Sequence, residues 1–103
     1  SDELRKQSSA ALAQVHLAAA ACDLIVVGSA ADGEGPKPAN VAHLLGAAGD
    51  LRPYAKRMLF SPTGEARQVE RGNSQPIAVE TAIGRIMPVV CYDMRFPEIC
   101  REA

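Results

Sequence analysis

The chain has 103 residues, of which 48% are hydrophobic and 22% are charged, and its formal net charge is −1. This length corresponds to one domain or less, and the near-zero charge gives no electrostatic reason to expect nucleic acid or an anionic membrane as a partner. The longest apolar runs are too short to span a bilayer, so we expect no membrane-spanning segment.

The chain opens with a predicted helix that leads directly into a predicted strand. Apolar residues recur at helical spacing and predict an amphipathic helix over residues 2–21, which Asp23 ends. The run 24–27 (LIVV) is short, apolar and rich in β-branched residues, which is typical of a buried strand. A helix followed directly by such a strand indicates an α/β layered fold.

The rest of the chain shows shorter elements with turn signals between them. We predict a loop over 28–38, a strand over 40–45, a turn over 46–50, a strand over 51–57, irregular structure over 61–75, and strands over 76–81 and 84–90. A final helix is predicted from Phe96 onward, with Pro97 at an early position where its missing N–H costs nothing.

The number and spacing of the cysteines indicate which kinds of cysteine site the chain can form. Cys22, Cys91 and Cys100 make an odd number with no CxxC pair, which favours neither a disulfide framework nor a zinc site. We therefore expect no metal, no cofactor and a reducing, cytoplasmic setting. Cys22 and Cys100 are interpreted as core residues. Cys91 follows an apolar run and shortly precedes the final helix, a position where a nucleophile is exposed near backbone N–H groups.

The residues around Cys91 resemble a known motif. Residues 91–98 (CYDMRFPE) resemble the nucleophile segment of the nitrilase superfamily, the carbon–nitrogen hydrolases, and match most nearly the CYD-x-RFPE form of its Nit-type and omega-amidase branches. Residues 53–60 (PYAKRMLF) resemble the family's Y-x-K-x-H-L-F segment, which places its catalytic lysine at Lys56. Glu65 stands where many members carry a second glutamate that braces the site.

This resemblance implies a thiol hydrolase acting on a small amide or nitrile, with a small linear omega-amide favoured. Cys91 would attack the substrate and form a thioester, while Lys56 and the backbone N–H of Tyr92 stabilise the oxyanion. Glu65 would position Lys56 or the substrate. The general base would be the family's first glutamate, which no position here matches and which we expect upstream of Ser1.

The resemblance also implies the architecture. We expect residues 1–103 to be a partial carbon–nitrogen hydrolase domain, part of a four-layer α-β-β-α sandwich that is incomplete at both ends. The N-terminal strand with the first glutamate and the C-terminal half would be absent, so the piece alone would be inactive. The complete protein is expected to be a homo-oligomer.

Three polar residues near Cys91 are given a supporting role. Asp93, Arg95 and Glu98 are predicted to hold the turn and the following helix through hydrogen bonds and an ion pair. Three positions depart from the family pattern: Met58, where histidine is common, and Met87 and Pro88, where the strand usually reads Gly-Val.

Other functions stay open at this point. A non-catalytic or truncated module of the same fold could act in binding or assembly, and nitrile or carbamoyl-amide hydrolysis are alternatives within the family. An apolar strand ending in Pro-Glu upstream of Ser1 would favour the enzyme over the first alternative, and we predict that Cys91→Ala abolishes amide turnover by the complete protein.

Overall fold

The computed structural model of the protein describes residues 2–33, 35–46, 49–50 and 53–101. Its helices and strands, in chain order, are α1 (Asp2–Cys22), β1 (Val26–Asp32), β2 (Ala39–Gly46), β3 (Gly49–Asp50), β4 (Tyr54–Ala55), β5 (Val79–Thr81), β6 (Gly84–Ile86) and α2 (Pro97–Arg101). Single 3₁₀ turns cover Ser61–Thr63, Glu65–Arg67 and Cys91–Arg95.

The long helix α1 confirms the prediction over residues 2–21 and ends as the sequence indicated. Asp23 has a φ of 56°, the left-handed conformation that commonly follows a helix and that Asp tolerates better than most residues. The N–H of Leu24 donates to the carbonyl of Ala19 at 2.9 Å, and that of Asp23 to Ala20 at 3.5 Å. Within the described residues, no helix combines the length and the apolar character needed to cross a membrane.

Strand β2 is the centre of the main sheet. It pairs antiparallel with the whole length of β1, from Val26 opposite Leu45 to Asp32 opposite Ala39. On its other edge it pairs with β3 and β4. The strand predicted over 24–27 therefore begins two residues later and continues through 28–32, which the sequence assigned to a loop. Because β2 satisfies the backbone groups of this segment, pairing outweighs its glycine and alanine content.

The second hairpin is shorter than predicted. Only Val79–Thr81 and Gly84–Ile86 pair with each other, and residues 87–90 belong to no strand in the described part of the chain. The prediction of a strand running directly into Cys91 was therefore wrong. Pro88 lies in this segment and is buried. Since proline has no N–H to donate to a ladder, the segment packs without the pairing of a central strand.

The segment that carries Lys56 is fixed on both sides by backbone hydrogen bonds. Its N–H donates to the carbonyl of Asn40 at 2.8 Å, and its carbonyl accepts from the N–H of Gly72 at 2.9 Å. A neighbouring bridge joins Ala39 to Glu70 in parallel. Lys56 thus leaves the edge of the sheet on a backbone that the 70–72 segment holds in place.

Gly72 is required by this close approach. A Cβ at Gly72 would lie 2.2 Å from the carbonyl oxygen of Ala55 and 2.8 Å from its Cβ. We expect Gly72→Ala to lower the free energy of unfolding by about 1–3 kcal/mol, because the 70–72 segment must move away from the sheet. Chemical denaturation of the complete protein measures this. Gly28→Ala is the matched control, since a Cβ at Gly28 meets nothing within 4 Å; equal losses in both variants would contradict the packing argument.

Candidate active site

Cys91 lies at the start of a tight turn and is exposed. Its φ is 47°, in the left-handed region that non-glycine residues adopt at a cost of about 1–2 kcal/mol. The 3₁₀ turn Cys91–Arg95 closes through the N–H of Asp93, which donates to the carbonyl of Val90 at 3.0 Å. The thiol is free. A strained turn that exposes a free thiol is the setting in which nucleophiles are commonly presented.

A cavity opens beside this turn. Its volume is about 400 Å³, within the usual range for small-molecule sites. The residues that line it are Phe60, Thr63, Glu65, Cys91, Tyr92 and Arg95. Cys91 and Arg95 from this turn and Glu65 from an earlier part of the chain therefore line one space.

Lys56 forms an ion pair with Glu65, one of the residues that line this cavity. Its Nζ donates to Glu65 Oε1 at 2.7 Å and to Oε2 at 2.9 Å. Lys56 is only 3% exposed, so its ammonium group is almost fully removed from water. The N–H of Phe60 also donates to Glu65 Oε1, at 2.8 Å. Glu65 thus joins the buried lysine to the cavity that Cys91 lines.

These contacts determine the ionisation of Glu65. Burial raises the pKa of its carboxyl group, but the hydrogen bonds from Lys56 and Phe60 and the positive charge of Lys56 outweigh burial, so that the pKa lies below its ordinary value of 4.5. The folded state therefore favours the ionised form more strongly than the unfolded state does. The resulting stabilisation is present above pH 4.5 and is lost as the pH falls through the lowered pKa.

This sign gives a prediction for acid unfolding. We expect the complete protein to lose stability as the pH falls below 4.5, the ordinary pKa of this carboxyl group, and Glu65→Gln to flatten part of that loss. Urea denaturation at a series of pH values measures the slope. Glu70→Gln removes the same charge at an exposed residue and serves as the control. A slope that Glu70→Gln flattens as much as Glu65→Gln would contradict the assignment.

Asp93 is completely buried and connects the segment around Lys56 to the turn that begins at Cys91. Its Oδ2 accepts from the hydroxyl of Tyr54 at 2.9 Å and from the N–H of Val90 at 3.1 Å, and its Oδ1 accepts from the N–H of Met58 at 2.9 Å. Burial raises the pKa of Tyr54 well above its usual range, and the hydrogen bond to Asp93 and the charge of that carboxylate raise it further. Tyr54 therefore stays a hydrogen-bond donor at neutral and mildly alkaline pH.

Aromatic rings form one wall of the site. Tyr92 packs edge-to-face between Phe60, at a centroid distance of 4.9 Å, and Phe96, at 5.1 Å. Such pairs contribute about 0.5–1.5 kcal/mol each beyond their buried area. They fix the ring of the residue that directly follows Cys91.

The remaining residues singled out from the sequence divide into two groups. Arg95 lines the cavity, whereas Glu98 lies in the first turn of α2 and is exposed. Neither takes part in an ion pair within the part of the chain that the structure describes, so the predicted ion pair is not formed there. Cys22 and Cys100 are exposed, so their interpretation as core residues was wrong.

Sequence reasoning missed three contributors to the site. Phe60 and Thr63 line the cavity, and Tyr54 bonds to Asp93. Tyr54 had a signal in the sequence: it stands two residues before Lys56, and alternate residues of an extended segment share a face. Its partner is 39 positions away and could not be found from local pattern.

Comparison with known proteins decides the family. The family model described as carbon–nitrogen hydrolase matches residues 1–103, the whole chain. The chain belongs to the carbon–nitrogen hydrolase family. Among its curated relatives, the omega-amidase YafV of Escherichia coli (strain K12) is 37% identical to this chain over 76 residues. These residues are 74% of this chain and 29% of that protein.

Solved structures agree with this hydrolase assignment. A mutant amidase from Nesterenkonia sp. AN1, which shows the result of Michael addition of acrylamide at its active-site cysteine, has a TM-score of 0.85 and 28% identity over 95% of this chain and 39% of that chain. XC1258 from Xanthomonas campestris, a CN-hydrolase superfamily protein with an arsenic adduct in its active site, has a TM-score of 0.77 and 31% identity over 87% of this chain and 34% of that chain.

Two expectations are thereby confirmed, the α/β fold class and the resemblance to the nitrilase superfamily with its omega-amidase-like branch. The chain spans between 29% and 39% of the length of these relatives.

Proposed function

We propose that the complete protein hydrolyses the carbon–nitrogen bond of a small linear amide through a thioester on Cys91, and that omega-amides are its preferred substrates. One observation carries this proposal: the buried Lys56 ammonium is bound to Glu65, which lines the same cavity as the exposed Cys91 thiol. A nucleophile beside a fixed cation is the arrangement that acyl transfer requires.

The first half of the reaction uses the thiol and the cation. The Cys91 sulfur attacks the amide carbon, and the electron pair of the C=O bond moves onto oxygen. Lys56 has three N–H donors and binds both carboxylate oxygens of Glu65, and in this proposal its remaining N–H donates to the oxyanion. The backbone N–H of Tyr92 would be a second donor. Collapse of this intermediate breaks the C–N bond, and the protonated nitrogen leaves as ammonia.

The second half regenerates the thiol. Water attacks the thioester carbon, the C–S bond breaks, and the carboxylic acid is released. A general base takes the thiol proton, passes it to the leaving nitrogen and then activates the water. By resemblance this base is the family's first glutamate, and no position of this chain matches its motif. Lys56 donates hydrogen bonds to Glu65. These contacts suit a cation that binds the oxyanion better than they suit a general base.

The cavity supports the substrate class. Phe60 and Tyr92 provide apolar ring surface for a short carbon chain, and Arg95 provides a guanidinium group that suits a carboxylate. An omega-amide has both a short chain and a carboxylate at the end opposite the amide. The similarity to an omega-amidase supports the same class.

Ammonia release from matched substrates tests this proposal. The complete protein is given the monoamide of a four- or five-carbon dicarboxylic acid, or a neutral linear amide with the same number of carbons, with hydroxylamine as a trap for the thioester. We expect ammonia and the corresponding hydroxamate from the omega-amide, with kcat/KM at least about tenfold above that of the neutral amide because Arg95 pairs with the carboxylate. Ammonia from nitriles alone, or turnover of carbamoyl amides alone, would contradict the substrate class.

A further inference from the structure

Tyr54 is a buried residue that the mechanism above does not use. It is 3% exposed, lies in β4 two residues before Lys56, and packs in a cluster with Ala42 and Val90. Its hydroxyl donates to Asp93 Oδ2 at 2.9 Å. A buried hydroxyl–carboxylate bond is among the stronger hydrogen bonds in proteins, and it is aimed at the turn that carries the nucleophile.

Asp93 binds both catalytic segments at once. On the nucleophile side it accepts the N–H of Val90, the residue directly before Cys91, and belongs itself to the turn that Cys91 opens. On the lysine side it accepts the hydroxyl of Tyr54 and the N–H of Met58, which flank Lys56 at two residues on either side. One carboxylate therefore ties the backbone around the thiol to the backbone around the ammonium.

The other contacts of Lys56 hold it relative to the sheet and to Glu65. Asn40 and Gly72 hold its backbone relative to the sheet, and Glu65 holds its Nζ. Asp93 links the Lys56 segment to the Cys91 turn through the hydrogen bonds that it accepts from Tyr54 and Met58. The tyrosine hydroxyl is the side-chain donor in this link. It also has a backbone hydrogen bond with Arg57, the residue directly after Lys56.

We propose that Tyr54 is a positioning residue: its hydroxyl, acting through Asp93, sets the placement of the Lys56 ammonium relative to the atoms that react at Cys91. This proposal rests on the proposed hydrolase function. The hydroxyl transfers no proton and does not touch the substrate. Its effect is geometric, and a misplacement of about 1 Å can cost about 100-fold in rate.

Tyr54→Phe in the complete protein is the test, because phenylalanine keeps the ring in its cluster and removes the hydroxyl alone. We expect kcat for the omega-amide to fall about 5- to 50-fold, with KM within about twofold. The rate at which iodoacetamide alkylates Cys91 should fall much less than kcat, since alkylation forms no oxyanion that Lys56 must stabilise. Thr81→Val is the matched control: it removes a hydroxyl that donates to the carbonyl of Gly84 at 2.6 Å in the β5–β6 hairpin, and should leave kcat unchanged.

A double-mutant cycle with Lys56→Gln separates positioning from a general structural effect. If the hydroxyl acts by placing Lys56, adding Tyr54→Phe to Lys56→Gln should change the residual kcat by less than about twofold. The same 5- to 50-fold loss in both backgrounds, or full activity of Tyr54→Phe, would overturn the proposal. Turnover that survives Cys91→Ala would instead remove the thioester mechanism, and absence of turnover in the unchanged protein would remove the hydrolase function, so that these failures are distinguishable from failure of the positioning proposal.

Discussion

Replacement of Cys91 by alanine is expected to reduce omega-amide turnover by the complete protein by about 10⁴-fold or more, because removal of a nucleophile leaves only the contribution of binding and oxyanion stabilisation. Hydroxamate formation in the presence of hydroxylamine should disappear as well, since no thioester can form. The fold should persist, because Cys91 is exposed and its side chain contributes little to the core. Ammonia release and circular dichroism on the same preparation measure both expectations.

Cys100→Ala is the control for this experiment. Cys100 is also exposed and carries a free thiol, but it lies in α2 and does not line the cavity. We expect this variant to keep full turnover. If Cys91→Ala keeps its activity, the thiol mechanism is wrong. Turnover that is absent from the unchanged protein and from both variants would instead indicate a non-catalytic module.

Replacement of Lys56 by glutamine is expected to lower kcat by about 10²–10³-fold, the usual loss when one oxyanion donor is removed. Glutamine is one atom shorter than lysine and keeps an N–H₂ group that donates hydrogen bonds, but it loses the charge that stabilises the oxyanion. Cys91 should still react with iodoacetamide, because the thiol remains. Steady-state kinetics and alkylation followed by mass spectrometry give the two rates.

The lysine experiment has a control variant and two outcomes that would contradict a catalytic role of Lys56. Lys6→Gln removes an exposed lysine from α1 and should leave kcat unchanged. A Lys56→Gln variant with wild-type kcat would show that the buried ammonium serves only the fold through its pairing with Glu65. Loss of alkylation together with turnover would indicate that the cavity itself has collapsed.

The sequence predicted the parts of the site that lie within short motifs. The resemblance of residues 91–98 and 53–60 to family motifs predicted Cys91 and Lys56 as catalytic residues, and the same resemblance gave Glu65 a bracing role. The structure brings Lys56 and Glu65 within hydrogen-bond distance and gives Glu65 and Cys91 a common cavity. Their catalytic roles stay predictions until the variants are measured.

The structural features that could not be predicted from the sequence depend mainly on contacts between residues that are distant along the chain. The residues 28–32 form a strand only because β2 pairs with them, and local composition indicated a loop. The segment 87–90 looks like a strand by its apolar residues, yet Pro88 lacks the N–H that pairing would use. Asp93 was given a supporting role from its place in the motif, but its bonds to Tyr54 and Met58 span 39 and 35 positions.

A crystal structure of the complete protein with a substrate-derived acyl or amide adduct on Cys91 tests the central claim most directly. The account predicts that Lys56 Nζ lies about 2.7–3.2 Å from the oxygen of the adduct while it keeps its bond to Glu65. A Lys56 ammonium that is out of reach of that oxygen, with the adduct directed to another group, would contradict the pairing of thiol and cation on which the proposed chemistry depends.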